Sequence, residues 1–417
     1  MVSRSRRSAL SGRAAWHRRN AGITFWKEAP QAVEMTGTES KSSGILGRIH
    51  ALRRRHPRAE SALFFAGGFL FDTLAVGRID EAFTLLQMAG YLAVLATLML
   101  MEERHRAGLF SPPRFLARPW RFAEDAIHFL FGTLLNVFTL FYLKSTSGLM
   151  SLLFLSFLGA LLVVNEAPRF RGRGPMVRFA LLSMCLTTYL ALLLPVLLGF
   201  LSRWLFVAAV VLSCAALVAL LRALPRGTTG AQSMGQRMAA PAFGMQALLV
   251  AAYFAGIIPP VPLSVQYMGI YHEVAIESQP EAPGAAAAAP GRTYLLKHQR
   301  PWWLPWRHGD QDFRAREGDV VHCFARIFAP NGFRDAIFVH WRVKGTNGRW
   351  EDQGRARLEI SGGRENGFRA DATKKNYRPG RWRVEIETED GRDLGVIYFT
   401  LRDDPATDSR TFAVDRL

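Results

Sequence analysis

Chemistry would have to start from ionisable and aromatic side chains, and in this 417-residue chain they fall into two unlike groups. In the first half, Asp72, His128 and Asn136 stand inside long apolar runs. A charge near the centre of a membrane helix costs about 2.5–3.5 kcal/mol, so these three form a candidate intramembrane polar site for an ion or a substrate. The plainer alternative is that Asp72 reaches the outer headgroup region or pairs with another helix. In the second half, Trp302, Trp303 and Trp306 crowd into the segment YLLKHQRPWWLPW. Such tryptophans pack into a core, lie at a membrane interface or stack on a ligand. Packing is the expected role, and contact with a ligand or partner is the alternative. Arg381 and Arg383, with Arg355 and Arg357, make a basic ridge that would meet an anionic glycan or lipid headgroup, or else form a solvated face.

Other familiar chemistry is missing from the sequence. There is no H-E-x-x-H, no G-x-S-x-G and no phosphate-binding loop. His322 and His340 fall on the polar sides of two strands expected to be neighbours. Two histidines are too few to hold a metal, so both are expected on the surface. No catalytic residue, metal or cofactor is assigned. Cys185 and Cys214 lie in apolar runs, and Cys323 is the only cysteine after residue 263, so that part contains no internal disulfide.

The elements that would position these residues follow from hydropathy and charge. Seven apolar stretches, at about 61–77, 82–101, 126–143, 148–165, 177–200, 204–221 and 242–263, approach the roughly 20 residues that a helix needs to cross a bilayer. Lys and Arg alternate around them. The arm 1–60 carries 13, and the following connections carry one, five, one, four, one and three. Such alternation is the positive-inside pattern. It predicts a cytoplasmic N-terminus and a periplasmic chain after residue 263. The formal charge of +18 therefore belongs to the hydrophobic part and is not a nucleic-acid footprint. Met35 opens a polar stretch, MTGTESKSSG, and a translation start there is an expectation that N-terminal sequencing checks.

Beyond residue 263 the period changes. Val321, Cys323, Ala325 and Ile327 alternate with polar residues, as do Ile337, Val339, Trp341 and Val343, and then Trp382, Val384 and Ile386. Period-two alternation marks half-buried strands. The turn Glu389-Asp390-Gly391-Arg392 reads as a hairpin. The fold class is α+β and multi-domain: a polytopic helical membrane bundle of about seven spans, then a small antiparallel β-sandwich or barrel-like domain. The expected boundaries are a basic arm at 1–60, the bundle at 61–263, an exit collar and flexible linker at 264–292, the β-rich domain at 293–402 and a tail at 403–417.

The run IPPVPLS, then VHCFARIFAPNGF, VHWRV, ISGGRENGFRA and PGRWRVEIETEDGRDLG, over residues 255–402, resembles the bacterial membrane proteins with a C-terminal domain of unknown function 2914. The resemblance implies an architecture and no activity. The function expected from all this is an inner-membrane protein displaying a periplasmic β-rich domain. That domain would bind an envelope protein, a glycan or a lipid without catalysis, and the lipid bilayer is its constant partner. The alternative is a transporter or lipid-handling membrane enzyme with its polar site inside the bundle.

Overall fold

Long apolar stretches can satisfy their backbone polar groups in hydrocarbon only by bonding within themselves, so they fold as helices. The computed structural model describes residues 79–146, 148–166, 174–224, 234–278, 292–304, 306–364 and 367–417. Among these residues the first part contains α1 (Ala82–Arg106), α2 (Ala123–Lys144), α3 (Gly148–Glu166), α4 (Pro175–Leu198), α5 (Arg203–Arg222) and α6 (Met234–Phe254). Four helices are long and apolar enough to cross a membrane: α1, α2 with the 3-10 turn before it, α4 and α5. The arm 1–60, the run 61–77 with Asp72, and the Ala/Pro-rich 279–291 lie outside the described residues.

The α4–α5 connection shows how local chemistry ends a helix. Gly199 adopts the left-handed conformation (φ 78°) and its N–H donates to Pro195 O at 2.9 Å, while Ser202 caps α5 by accepting Trp204 N–H at 3.3 Å. At the opposite ends of the helices, Arg106 of α1 meets Glu102, Glu103 and Glu124 at 3.0, 3.1 and 2.5 Å, and Arg178 of α4 meets Glu124 at 3.2 Å. Three helices are thereby tied through one carboxylate.

The last helix differs from the expected span 242–263. It starts at Met234 and ends at Phe254, and Ser264 already begins a strand. The residues 234–241 are too polar to register as membrane but still continue the helix, while Gly256, at φ 69°, ends it in a left-handed cap closed by Ile257 N–H to Ala252 O at 2.9 Å, well short of residue 263.

Eleven strands follow among the described residues: β1 (Ser264–Tyr271), β2 (Glu273–Ser278), β3 (Arg292–His298), β4 (Asp312–Ala315), β5 (Val321–Phe328), β6 (Arg334–Lys344), β7 (Trp350–Ser361), β8 (Phe368–Lys374), β9 (Gly380–Thr388), β10 (Asp393–Asp403) and β11 (Ala413–Arg416). They form sheets of order β1-β5-β8, β4-β10-β9-β6-β7 and β11-β3-β2. The first two face each other across the main core, which contains Cys323, Ile327, Val339, Trp341, Trp382, Val384 and Phe399. That is a sandwich, not a barrel, and it is not wholly antiparallel because β4 runs parallel to β10.

Two expected boundaries are corrected. Residues 264–278 are not collar and linker but strands β1 and β2, and the tail beyond 403 returns as β11 on β3, with Ala413 opposite His298. The third sheet lies against the far side of β5 through a second small core of Tyr271, Leu296 and Phe324. β5 therefore packs on both faces, the second through Phe324, where its alternation predicted one.

Sheets and helices meet directly. Asp335 accepts Leu201 N–H at 2.8 Å, Arg334 N–H donates to Gly199 O at 2.7 Å, and Asn331 N–H donates to Asp80 at 3.0 Å. The Arg392 guanidinium lies 4.8 Å over the Tyr253 ring, which itself stacks on Phe206 at 3.8 Å. Asp80, Gly199–Leu201 and Tyr253 mark the helix ends away from the Arg106–Glu124–Arg178 cluster, so the sheets sit on one end of the bundle.

Candidate functional site

Among the described residues, a recess grows out of the connection between β3 and β4. After His298 the chain leaves the sheet through two successive turns, closed by Leu304 N–H to Pro301 O and Arg307 N–H to Leu304 O, both at 3.1 Å. It comes back through Gly309, whose φ of 66° and close approach to Ile270 leave no room for a side chain. That approach lets Asp310 N–H donate to Ile270 O at 2.7 Å and sets the Asp310 carboxyl at the floor. Thr411 and Phe412, leading into β11, and its first residue Ala413 supply the opposite wall. Together they outline a cavity of about 810 Å³ that is broadly open to solvent, its volume inside the usual range for small-ligand sites.

Two polar side chains at the floor, His298 and Asp310, are buried. Asp310 accepts Gln299 N–H on both oxygens at 2.9 Å. His298 Nδ1 accepts Arg300 N–H at 3.2 Å, so its proton sits on Nε2, which faces Asp415 at 3.2 Å. Behind the floor, the His272 ring stacks on Phe313 at 4.0 Å and tilts against Phe412 at 5.1 Å. Its nitrogens stand 3.5 Å from Asp310 and 3.8 Å from Asp319. Burial, reinforced by Arg410, pushes His272 down to about 4. Burial likewise pushes Asp310 up to about 7, against the pull of the Gln299 N–H. The two neighbours are thus both neutral across mildly acidic pH.

At the rim stands Trp302, 91% exposed. Trp303 and Trp306 are exposed as well but do not line the cavity. Of the expected packing, at a core or at a membrane interface, the core part is corrected: all three side chains stand outside the cores of the sheets. Arg307 and Arg314 also line the rim, and neither has a carboxylate partner among the described residues.

The basic ridge is elsewhere. Arg383 pairs with Glu385 and with Asp393 (3.6 Å), Arg355 pairs with Glu387 (3.3 Å), and Arg381 lies 5.6 Å over the Tyr398 ring. Arg381 and Arg383 do not join the tryptophans. His340 lies in the same network and is buried, not exposed: Nδ1 meets Glu387 at 2.6 Å and Nε2 meets Asp352 at 2.9 Å. It is also not beside His322, whose strand belongs to another sheet and which pairs with Asp371 at 2.9 Å. His340, Glu385 and Glu387 bring ligand atoms within 4.8 Å of one another, a spacing that would suit a cation. The carboxylates, however, already hold Arg342, Arg355 and Arg383. Three guanidiniums around two glutamates make a neutralised ion-pair network, and a divalent cation does not fit there.

Inside the bundle, Asp72 lies outside the described residues. His128 is half-buried and Asn136 buried, both on α2 and two turns apart. The polar centre that the bundle does build was not singled out from sequence. Gln246 of α6 donates to Ser183 and Ser213 at 2.9 and 2.8 Å and accepts from Thr187 at 2.8 Å, tying α4, α5 and α6. A glutamine in mid-span, with Ser183 and Thr187 one turn apart, was the available signal.

Comparison with known proteins adds little about activity. No curated protein matches the chain. A solved structure of Pseudomonas fluorescens alkylpurine DNA glycosylase AlkC, bound to DNA containing an abasic site analog, aligns at 10% identity over 78% of this chain and 100% of that chain. Its TM-score of 0.18 is too low to bear on fold or function. Residues 334–401, which run from β6 into β10 and hold both the His340 network and the Arg392 turn, match the family described as "Protein of unknown function (DUF2914)", so the sheet region of this chain carries a C-terminal DUF2914 domain.

Proposed function

We propose that this protein is a multi-pass protein of a bacterial inner membrane whose sheet domain faces the periplasm and captures an envelope ligand, without catalysis, in the cavity between 298–314 and 411–413. The carrying observation is that cavity, with buried polar groups at its floor and an exposed tryptophan at its rim. Seven spans are the reading that the charge alternation supports, with the runs 61–77, 148–165 and the helix Met234–Phe254 joining the four apolar helices. The orientation has a second support. The sheets bond to the helix ends that lack the arginine clusters, which are the ends that the positive-inside rule puts outside. The bundle-centred alternative has less behind it, because the Gln246 centre satisfies its own groups with its own neighbours.

A photo-crosslinking residue tests this reading in intact cells. Placed at Trp303, beside the cavity, it should yield an adduct with a glycan or lipid, detected by mass. Placed at Glu359, on the outer strand β7, it should not. No adduct at position 303, or equal adducts at both positions, rejects the cavity as the capture site.

A further inference from the structure

We propose that the ligand of this cavity is an anionic saccharide, with a sugar face stacked on Trp302 and its carboxylate or phosphate held by Arg307 and Arg314. This rests on the cavity being the capture site and adds the chemical class. Trp302 offers an apolar surface on the order of 200 Å², and it is 91% exposed although a core lies within reach of the same strands. An indole held out of the core at the mouth of a cavity is a stacking platform, and a pyranose ring presents a C–H face of matching shape. The two arginines supply the charge. Arg300, also in the lining, is already engaged by Asp415 at 3.3 Å, whereas Arg307 and Arg314 have no carboxylate partner among the described residues. Guanidiniums bind carboxylate and phosphate oxygens through paired N–H donors. The buried Asp310 carboxyl at the floor suits a ligand rich in hydroxyls, which both donate and accept.

Other occupants fit less well. A divalent cation would meet Asp310 and Asp312 but also three lining arginines, and Asp312 already pairs with Arg402 at 3.3 Å. An acyl chain would find apolar lining in Pro301, Trp302, Leu304, Phe412 and Ala413, but would itself offer no partner to the three arginines and the buried Asp310 of the same lining. The paired Arg355–Arg383 face, the sequence's more obvious anion site, is neutralised by Glu385, Glu387 and Asp393.

The same chemistry occurs in a free acidic glycan and in an acidic glycolipid headgroup, and titration of the full chain in detergent micelles separates them. The probes are tetragalacturonate, neutral maltotetraose, and micelles doped with glucuronosyl diacylglycerol or with phosphatidylglycerol. Binding of tetragalacturonate is expected to weaken at least about tenfold in Trp302→Ala and in the double variant Arg307→Ala/Arg314→Ala, and to weaken with salt. All three positions are on the rim, so an unchanged unfolding midpoint in each variant excludes misfolding as the cause. Binding of glucuronosyl diacylglycerol alone, with the same losses, assigns the ligand to a lipid headgroup and still supports the class. Equal affinity for maltotetraose removes the anionic part, and equal affinity for phosphatidylglycerol removes the sugar. No binding of either acidic sugar overturns the proposal. If position 303 nevertheless crosslinks in cells, only the chemical class has failed; if it does not, the capture site has failed with it.

Discussion

His272 and Asp310 are 3.5 Å apart and shifted in opposite senses, which gives the sheet domain an unusual pH response. Asp310 is held at about 7, well above its unfolded value, so the folded state binds the extra proton between about pH 4 and 7. Its contribution to stability is full below that window and is lost as pH rises through it. His272, held at about 4, does the reverse: the unfolded state takes up the proton as pH falls from about 6.5 to 4, and stability drops with it. Each group alone would impose a slope of up to ~1.4 kcal/mol per pH unit. Together they cancel between about pH 4 and 6.5. Denaturant titrations of the full chain should therefore show the pair as differences from the wild-type profile, to which Asp335, Glu385 and Asp393, also raised by burial, contribute alike in every variant. Asp310→Asn should lose stability as pH falls from 6.5, because His272 is left unopposed. His272→Phe should gain stability over the same change. Parallel profiles in all three would show that the pair is not neutral. Nothing in the sequence marks these residues. His272 sits in a stretch that reads as linker, and its ring partners Phe313 and Phe412 arrive from far along the chain.

Strands that bury one face were legible because their side chains alternate. Ile337, Val339, Trp341 and Val343 of β6, and Trp382, Val384 and Ile386 of β9, face the main core as their period predicts. β5 was half legible. Val321, Cys323, Ala325 and Ile327 face that core, but Phe324 points the other way into the small core beneath the third sheet. That sheet is assembled from residues 273–278, 292–298 and 413–416, short segments individually too weak to read as strands. Phe324 is fully buried and packs against Tyr294 at 5.2 Å and Tyr267 at 6.3 Å. Phe324→Ala should cost about 3–5 kcal/mol, since neither sheet can collapse into the space left. Hydrogen exchange should then quicken along 292–298 more than along 382–386. Uniform quickening would mean that the third sheet and the sandwich share one cooperative unit.

At the level of the whole molecule, the sheets meet the helix ends that carry no arginine cluster, the same ends that the proposed topology puts outside. The alternation of Lys and Arg was read from connections alone, and it puts the helix ends near Asp80, Gly199 and Tyr253 on the side opposite the basic loops. The sheet domain bonds to those ends through Asn331, Arg334, Asp335 and Arg392. Asn331 and Arg392 were legible only as turn chemistry and Arg334 and Asp335 not at all, because what they touch is set by how the bundle and the sheets dock and not by any local pattern. The proposed topology makes a prediction that an impermeant thiol reagent can test in cells. Cys185 and Cys323 are buried, and Cys214 can be replaced by alanine to lower the background. In that setting Glu359→Cys, on exposed β7, should label from outside the inner membrane. Arg114→Cys, in the basic connection between α1 and α2, should label only after the membrane is opened. The opposite pattern would place the cavity in the cytoplasm and remove the envelope from its possible ligands. Labelling of both positions from outside would mean that a helix between them does not cross as the charges require.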